Sequence, residues 1–115
     1  MIYLDNAATS WPKPERVYQA LAQFLRTTGA NPGRGAHQMA QEASRAIYRT
    51  RQRLAEFLGA ARPEEIVFTS NATEALNLAI KGVLAPGDHV VTSSMEHNSV
   101  ARPLMALQEQ GVEVT

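Results

Sequence analysis

The feature that most constrains the fold lies between residues 66 and 99, where strand-like and helix-like segments alternate. Residues 66–69 read IVFT and residues 89–93 read HVVTS, and both runs are typical of short strands. Residues 72–84 between them have a strongly apolar helical pattern, which predicts a helix buried on more than one side, and Pro86-Gly87-Asp88 supplies a turn. This order of elements is typical of an α/β fold, with parallel strands and helices packed on them.

The start of the central helix has the chemistry of an anion site. Asn71 is a good helix cap, and Glu74, three residues later, can complete a capping box. Unpaired backbone N–H groups then remain beside Ala72 and Thr73, and the Thr73 hydroxyl adds a donor. Because ligands of parallel sheets bind beyond the carboxyl ends of strands, we predict that His97 faces the same pocket.

Four segments carry a resemblance to a known family. The chain reads YLDNAAT at 3–9, NPGRGAH at 31–37, SNATEALN at 70–77 and SSMEHNSV at 93–100. In this order they resemble class V aminotransferases, the pyridoxal phosphate (PLP) enzymes that include cysteine desulfurases and selenocysteine lyases. The matching segments are spread over all 115 residues, whereas the family runs to several hundred, so the chain is expected to be an amino-terminal fragment.

The resemblance implies a fold and a division of the chain. Residues 61–115 are expected to begin the large PLP-binding domain of a fold type I transferase, and residues 1–60 to form an amino-terminal extended segment with helices, together one partial domain. Periodicity predicts those helices from Pro14 to about Gly29, with an apolar stripe packed on the core, and from Gln38 to Leu58, with Gly59 as the stop signal. A last helix is predicted over 99–110, and a strand begins at Val112.

The resemblance also implies roles for single residues. Ala72 and Thr73 would hold the cofactor phosphate, although a capped helix start without a ligand explains the same pattern. His97 would stack on the pyridine ring and assist proton transfers, the alternative being an ordinary surface histidine. Arg34 would meet a substrate carboxylate, the alternative being an arginine that stabilises its own loop.

Two groups that the resembled chemistry requires are missing from this sequence. The family binds PLP covalently through a lysine that follows a Ser/Thr-x-His pattern well downstream, but only Lys13 and Lys81 are present here. Lys81 follows Thr73 by eight residues, about 12 Å along a helix, and Lys13 is interpreted as a solvated loop residue. The chain also has no cysteine to accept sulfur. These 115 residues alone are therefore not expected to be a complete enzyme.

Composition excludes several classes of partner. Eleven basic and eleven acidic residues give a formal charge of zero, which argues against nucleic acid and anionic membranes as partners. The first residues lack a basic segment followed by a long apolar run, so neither a signal peptide nor a membrane span is expected, and a cytoplasmic location is the default. No spacing of metal ligands is present.

The sequence thus favours part of a PLP-dependent cysteine desulfurase, which removes sulfur from L-cysteine to give alanine and an enzyme persulfide. Expected partners are an amino acid substrate, a second copy in a homodimer when full length, and a sulfur-acceptor protein. The alternatives are another class V enzyme, namely an aminotransferase, a selenocysteine lyase or an epimerase, and a standalone non-catalytic module.

Overall fold

The computed structural model describes residues 2–33 and 35–115, which fall into two compact units, Met1–Ile66 and Val67–Thr115. The first unit holds α1 (Glu15–Thr27), α2 (Gln38–Leu58) and a short 3-10 helix (Pro63–Glu65). The second unit holds α3 (Ala72–Val83), β1 (His89–Val90), α4 (Asn98–Gln108) and β2 (Glu113–Val114). The predicted division at residue 60 stays a prediction.

The second unit is a parallel strand-helix-strand arrangement, which confirms the predicted α/β class. β1 and β2 pair in parallel with His89 opposite Glu113 and Val90 opposite Val114, and α4 forms the crossover. Outside this ladder, the Thr92 N–H donates to the Thr115 carbonyl at 2.8 Å. His89 Nε2 lies 2.8 Å from the Thr115 hydroxyl, in keeping with a structural role for this histidine.

The helix ends follow local sequence signals. α2 ends at Gly59, whose left-handed backbone (φ 71°, ψ 22°) is a conformation that glycine adopts without the steric cost a Cβ brings. In the turn before β1, the Asp88 carboxylate accepts a hydrogen bond from the Ala85 N–H at 2.7 Å. The helices predicted from the sequence are therefore present, with α4 covering Asn98–Gln108 where 99–110 was predicted.

The predicted strand at residues 66–69 is wrong, because this segment lies outside the two strands of the described sheet. Ile66 keeps an extended backbone (φ −88°, ψ 113°). A strand is completed by the ladder of hydrogen bonds to a neighbour. In the part of the chain that the structure describes, the sheet consists of β1 and β2 alone.

Burial is sparse, and two predictions about helix faces are wrong. The buried apolar residues among those described include three alanines of α2 together with Leu104, Leu107 and Val112. α1 contributes no buried residue, so its apolar stripe does not pack on a core, and α3 is not enclosed either. Leu21 of α1 is 59% exposed and Val83 of α3 is 75% exposed. Periodicity identified these faces as apolar, but the described elements leave most of their side chains exposed.

Candidate functional site

The first turn of α3 presents free hydrogen-bond donors, as the sequence predicted. Asn71 caps the helix, and its side-chain oxygen accepts from the Glu74 N–H at 2.9 Å. Within the described residues, the N–H groups of Ala72 and Thr73 have no recorded acceptor, and both residues are exposed. Two backbone donors at the positive end of a helix dipole, with the Thr73 hydroxyl beside them, form a surface suited to an anion.

The Glu74 side chain bonds to the residue before the helix cap, whereas in a capping box it would bond to the cap residue itself. Its carboxylate accepts from the Ser70 N–H at 2.8 Å, rather than from the N–H of the cap residue Asn71. The Ser70 backbone bond, assisted by the Ser70 side chain, holds the pKa of the Glu74 carboxyl below its usual value. Glu74 is therefore a carboxylate at neutral pH, and it fixes the segment that leads into the Thr73 turn.

His97 caps α4 and also holds its own ring in place. Nδ1 accepts from the Ser99 N–H at 3.1 Å and lies 2.8 Å from the Ser99 hydroxyl. Since a backbone N–H can only donate, this bond makes Nδ1 an acceptor and leaves the proton of a neutral ring on Nε2. The ring thus keeps one nitrogen, Nε2, for a ligand.

One side chain connects the two turns. The Asn77 amide nitrogen donates to the Thr73 carbonyl at 3.0 Å and to the Ser99 carbonyl at 3.3 Å. The Thr73 turn is thereby attached to the helix start that His97 caps. That Thr73 and His97 face one pocket stays a prediction, but Asn77 holds their two turns together. Sequence reasoning missed Asn77 and Ser99.

A signal for Ser99 was nevertheless present in the sequence. Pro103 follows Ser99 by four residues and has no N–H for the Ser99 carbonyl, so a donor from elsewhere was to be expected.

The glycine-rich loop of the first unit folds onto the start of α2. His37 caps this helix, with Nδ1 accepting from the Ala40 N–H at 3.3 Å. A Cβ at Gly35 would lie 2.8 Å from His37 Nε2 and 2.7 Å from the Ala40 Cβ, so this position accepts only glycine without a shift. Arg34, the predicted substrate contact, lies outside the described residues.

The two lysines of the sequence have different local surroundings. The ammonium of Lys13 donates to the Ser10 carbonyl at 2.9 Å and to the Thr9 hydroxyl at 3.3 Å, so this half-buried side chain is held by its own exposed loop. Lys81 is in the last turn of α3, at the opposite end from Thr73. Among the described residues, no group of acidic or histidine side chains could hold a metal ion.

An apolar cleft of about 610 Å³ lies elsewhere in the second unit. It is lined by α3, α4, Val90 of β1 and the segment that follows β1, including Val91 and Glu96, but neither Thr73 nor His97 lines it. Over residues 2–33 and 35–115, no helix is long and apolar enough to cross a bilayer.

Comparison with known proteins gives consistent matches. The cysteine desulfurase IscS of Dictyoglomus turgidum is 40% identical over 118 residues, which cover 99% of this chain and 29% of that protein. The cysteine desulfurase IscS of Pectobacterium carotovorum is 44% identical over 120 residues, with 99% and 29% covered. The apo structure of a cysteine desulfurase from Thermococcus onnurineus superposes with a TM-score of 0.84 at 36% identity, covering 99% of this chain and 29% of that one.

The chain therefore spans about 29% of the length of these relatives. The profile of the family described as Aminotransferase class-V matches residues 2–115, which is nearly the whole chain. This match and the shared fold confirm the resemblance on which the sequence analysis rested: the chain belongs to the class V aminotransferase family.

Proposed function

We propose that this chain forms the amino-terminal part of a PLP-dependent cysteine desulfurase that converts L-cysteine to alanine and an enzyme-bound persulfide. The names of the relatives support the reaction. The observation that carries the assignment within the chain is the exposed donor set of the Thr73 turn, attached through Asn77 to the helix that His97 caps.

The donor set of the Thr73 turn fits the phosphate of PLP. The N–H groups of Ala72 and Thr73 and the Thr73 hydroxyl would hold that phosphate, since all three can donate to an oxyanion at a helix start. The Glu74 carboxylate lies in the same turn but is engaged with the Ser70 N–H. PLP, when bound, supplies an electron sink for the carbon atoms of the amino acid substrate.

His97 is proposed to act on the ring side of the same site. Its imidazole is a planar group that can stack on an aromatic ring, and its orientation is fixed by the two contacts of Nδ1 with Ser99. Proton transfer to or from substrate would then pass through Nε2, the nitrogen that the cap leaves available. In this assignment His97 is both a cofactor contact and a catalytic residue.

The remaining roles belong to the longer protein. Arg34 is proposed to bind the substrate carboxylate, as a guanidinium suits a planar anion. The lysine that carries PLP and the thiolate that takes the sulfur are proposed to come from outside these 115 residues, because Lys81 is at the opposite end of α3 from Thr73, Lys13 is bonded to its own loop and the sequence has no cysteine. We further propose a cytoplasmic homodimer that passes sulfur to an acceptor protein.

Replacing Thr73 with Val in the longer protein tests the phosphate assignment. Loss of a hydrogen bond to a charged group should weaken PLP binding about tenfold or more, whereas binding of pyridoxal, which has no phosphate, should be unchanged. Absorbance titration of the apoprotein measures both affinities. Thr73→Ser should retain most of the affinity.

Thr50→Val is the matched control, because it removes an exposed helix hydroxyl that bonds only to the Ala46 carbonyl. Equal PLP affinity in wild type and Thr73→Val would reject the phosphate site. Failure of the wild-type protein to bind PLP at all would reject the proposed function.

A further inference from the structure

Pro103 removes one backbone hydrogen-bond donor from the interior of α4. It is a buried residue of the helix interior, and a proline has no N–H to donate to the carbonyl four residues earlier. That carbonyl belongs to Ser99, which is only 6% exposed. A buried carbonyl without a donor is costly, and Pro103 removes the donor that the next turn of a helix normally supplies to the Ser99 carbonyl.

Asn77 of α3 supplies a donor to the Ser99 carbonyl. Its amide nitrogen donates to the Ser99 carbonyl at 3.3 Å across a sequence separation of 22 residues. The same nitrogen donates to the Thr73 carbonyl at 3.0 Å, in the first turn of its own helix. The two protons of one NH₂ group can therefore connect the two turns.

Both residues whose carbonyls accept from Asn77 belong to the candidate site or hold a residue of it in place. Thr73 is a donor of the proposed phosphate turn, and the Ser99 N–H and hydroxyl hold Nδ1 of His97. A displacement of Ser99 would move the atoms that orient the imidazole. We propose that Asn77 is a positioning residue, which uses the carbonyl freed by Pro103 to hold the phosphate turn and the His97 ring in a fixed relation. This inference rests on the proposed function.

Two substitutions separate positioning from simple satisfaction of a carbonyl. Asn77→Ala removes both bonds of the amide, whereas Pro103→Ala supplies an N–H within α4 that can bond the Ser99 carbonyl without any link to α3. The single variants and the double variant would be compared with wild type in the longer protein. Gln108→Ala, which removes an exposed amide from the last turn of α4, is the control.

Three quantities are to be measured: the thermal midpoint, the affinity of the apoprotein for PLP, and the ¹⁵N shifts of labelled histidine. Asn77→Ala should lower the midpoint and weaken PLP binding about three- to tenfold, the equivalent of one net hydrogen bond. It should also shift the His97 signals away from the Nε2-protonated form. Adding Pro103→Ala should restore the midpoint but neither the PLP affinity nor the His97 signals.

Several results would overturn the proposal. Recovery of PLP affinity and of the His97 signals in the double variant would show that Asn77 only satisfies a carbonyl. Wild-type behaviour of Asn77→Ala in PLP affinity would show that the bridge positions nothing. Absence of PLP binding in wild type would instead remove the proposed function on which the inference rests, and with it the inference.

Discussion

At the scale of single residues, histidine serves as a helix cap twice in this chain. His37 and His97 both accept a backbone N–H through Nδ1, one at the start of α2 and the other at the start of α4. A cap interaction stabilises a helix whether or not the ring takes part in chemistry. The cap and the proposed catalytic role of His97 are two separate functions of one side chain, and substitutions can measure each of them.

Replacing His97 with Asn or with Ala separates them. Asn can still accept the Ser99 N–H through its side-chain oxygen, whereas Ala loses the cap and should cost about 1 kcal/mol of stability. If the imidazole transfers protons, both variants should lose turnover about 100-fold or more. Cysteine turnover and thermal midpoints of the longer protein measure the two effects. Near-normal turnover in His97→Asn would show that His97 acts only as a helix cap and not in proton transfer.

The Glu74 carboxylate gives the Thr73 turn a defined pH dependence. Its pKa is lowered in the folded protein because the Ser70 N–H donates to the ionised form. A lowered folded pKa contributes stability that is present above the unfolded pKa, about 4.3 for glutamate, and is lost as pH falls through the folded value. Glu74→Gln should therefore lower the thermal midpoint at pH 7, and this difference should shrink as the pH falls below the unfolded pKa.

Thermal scans of both proteins at several pH values check this expectation. Glu64→Gln is the control, since Glu64 is an exposed carboxylate with no recorded side-chain bond within the described chain. A midpoint difference between wild type and Glu74→Gln that stays constant from pH 7 down to about pH 2 would contradict the assignment.

At the scale of elements, the ends of the helices are set locally, whereas their faces are not. α3 begins at the Asn71 cap and α2 ends at Gly59, both at the residues that sequence rules favour. The apolar face of α1 is nevertheless exposed, and in α2 the buried positions are the small residues Ala40, Ala43 and Ala55. Local signals thus account for where these helices begin and end, whereas the elements that pack against a helix decide which of its side chains are buried.

The same substitution should have opposite effects at two glycines. Gly59 has a positive φ, so Gly59→Ala should cost about 1 kcal/mol through backbone strain, although its Cβ would meet no atom within 4 Å. Gly82 lies in α3 with equally open space and no positive φ, so Gly82→Ala should stabilise by about 0.5–1 kcal/mol. Chemical denaturation of the longer protein measures both, and effects of the same sign would refute the account.

At the scale of the whole molecule, much apolar surface is accessible in the described residues. Leu4, Phe57 and Met95 are each more than 80% exposed, and no large side chain among the described residues is fully buried. The apolar cleft between α3, α4 and the segment after β1 adds to this surface. Soluble proteins seldom leave such large apolar patches uncovered, since their burial is a main source of stability.

The 115-residue polypeptide on its own should therefore have low stability. We expect a broad, weakly cooperative thermal transition by circular dichroism and strong binding of a dye that reports exposed apolar surface. The longer protein is the matched comparison and should melt sharply and bind little dye. A sharp, concentration-independent melt of the 115-residue monomer would contradict this prediction.

The sequence by itself determined the family, the α/β class, the helix positions and the donor set at Ala72 and Thr73, because caps, turns and periodicity act over a few residues. It did not determine whether residues 66–69 form a strand or what α1 and α3 bury, because strand pairing and burial depend on neighbours distant in the chain. Only the tertiary structure showed that Asn77 reaches Ser99, 22 residues away. Pro103 leaves that carbonyl open, but the packing of α3 against α4 decides which side chain fills it.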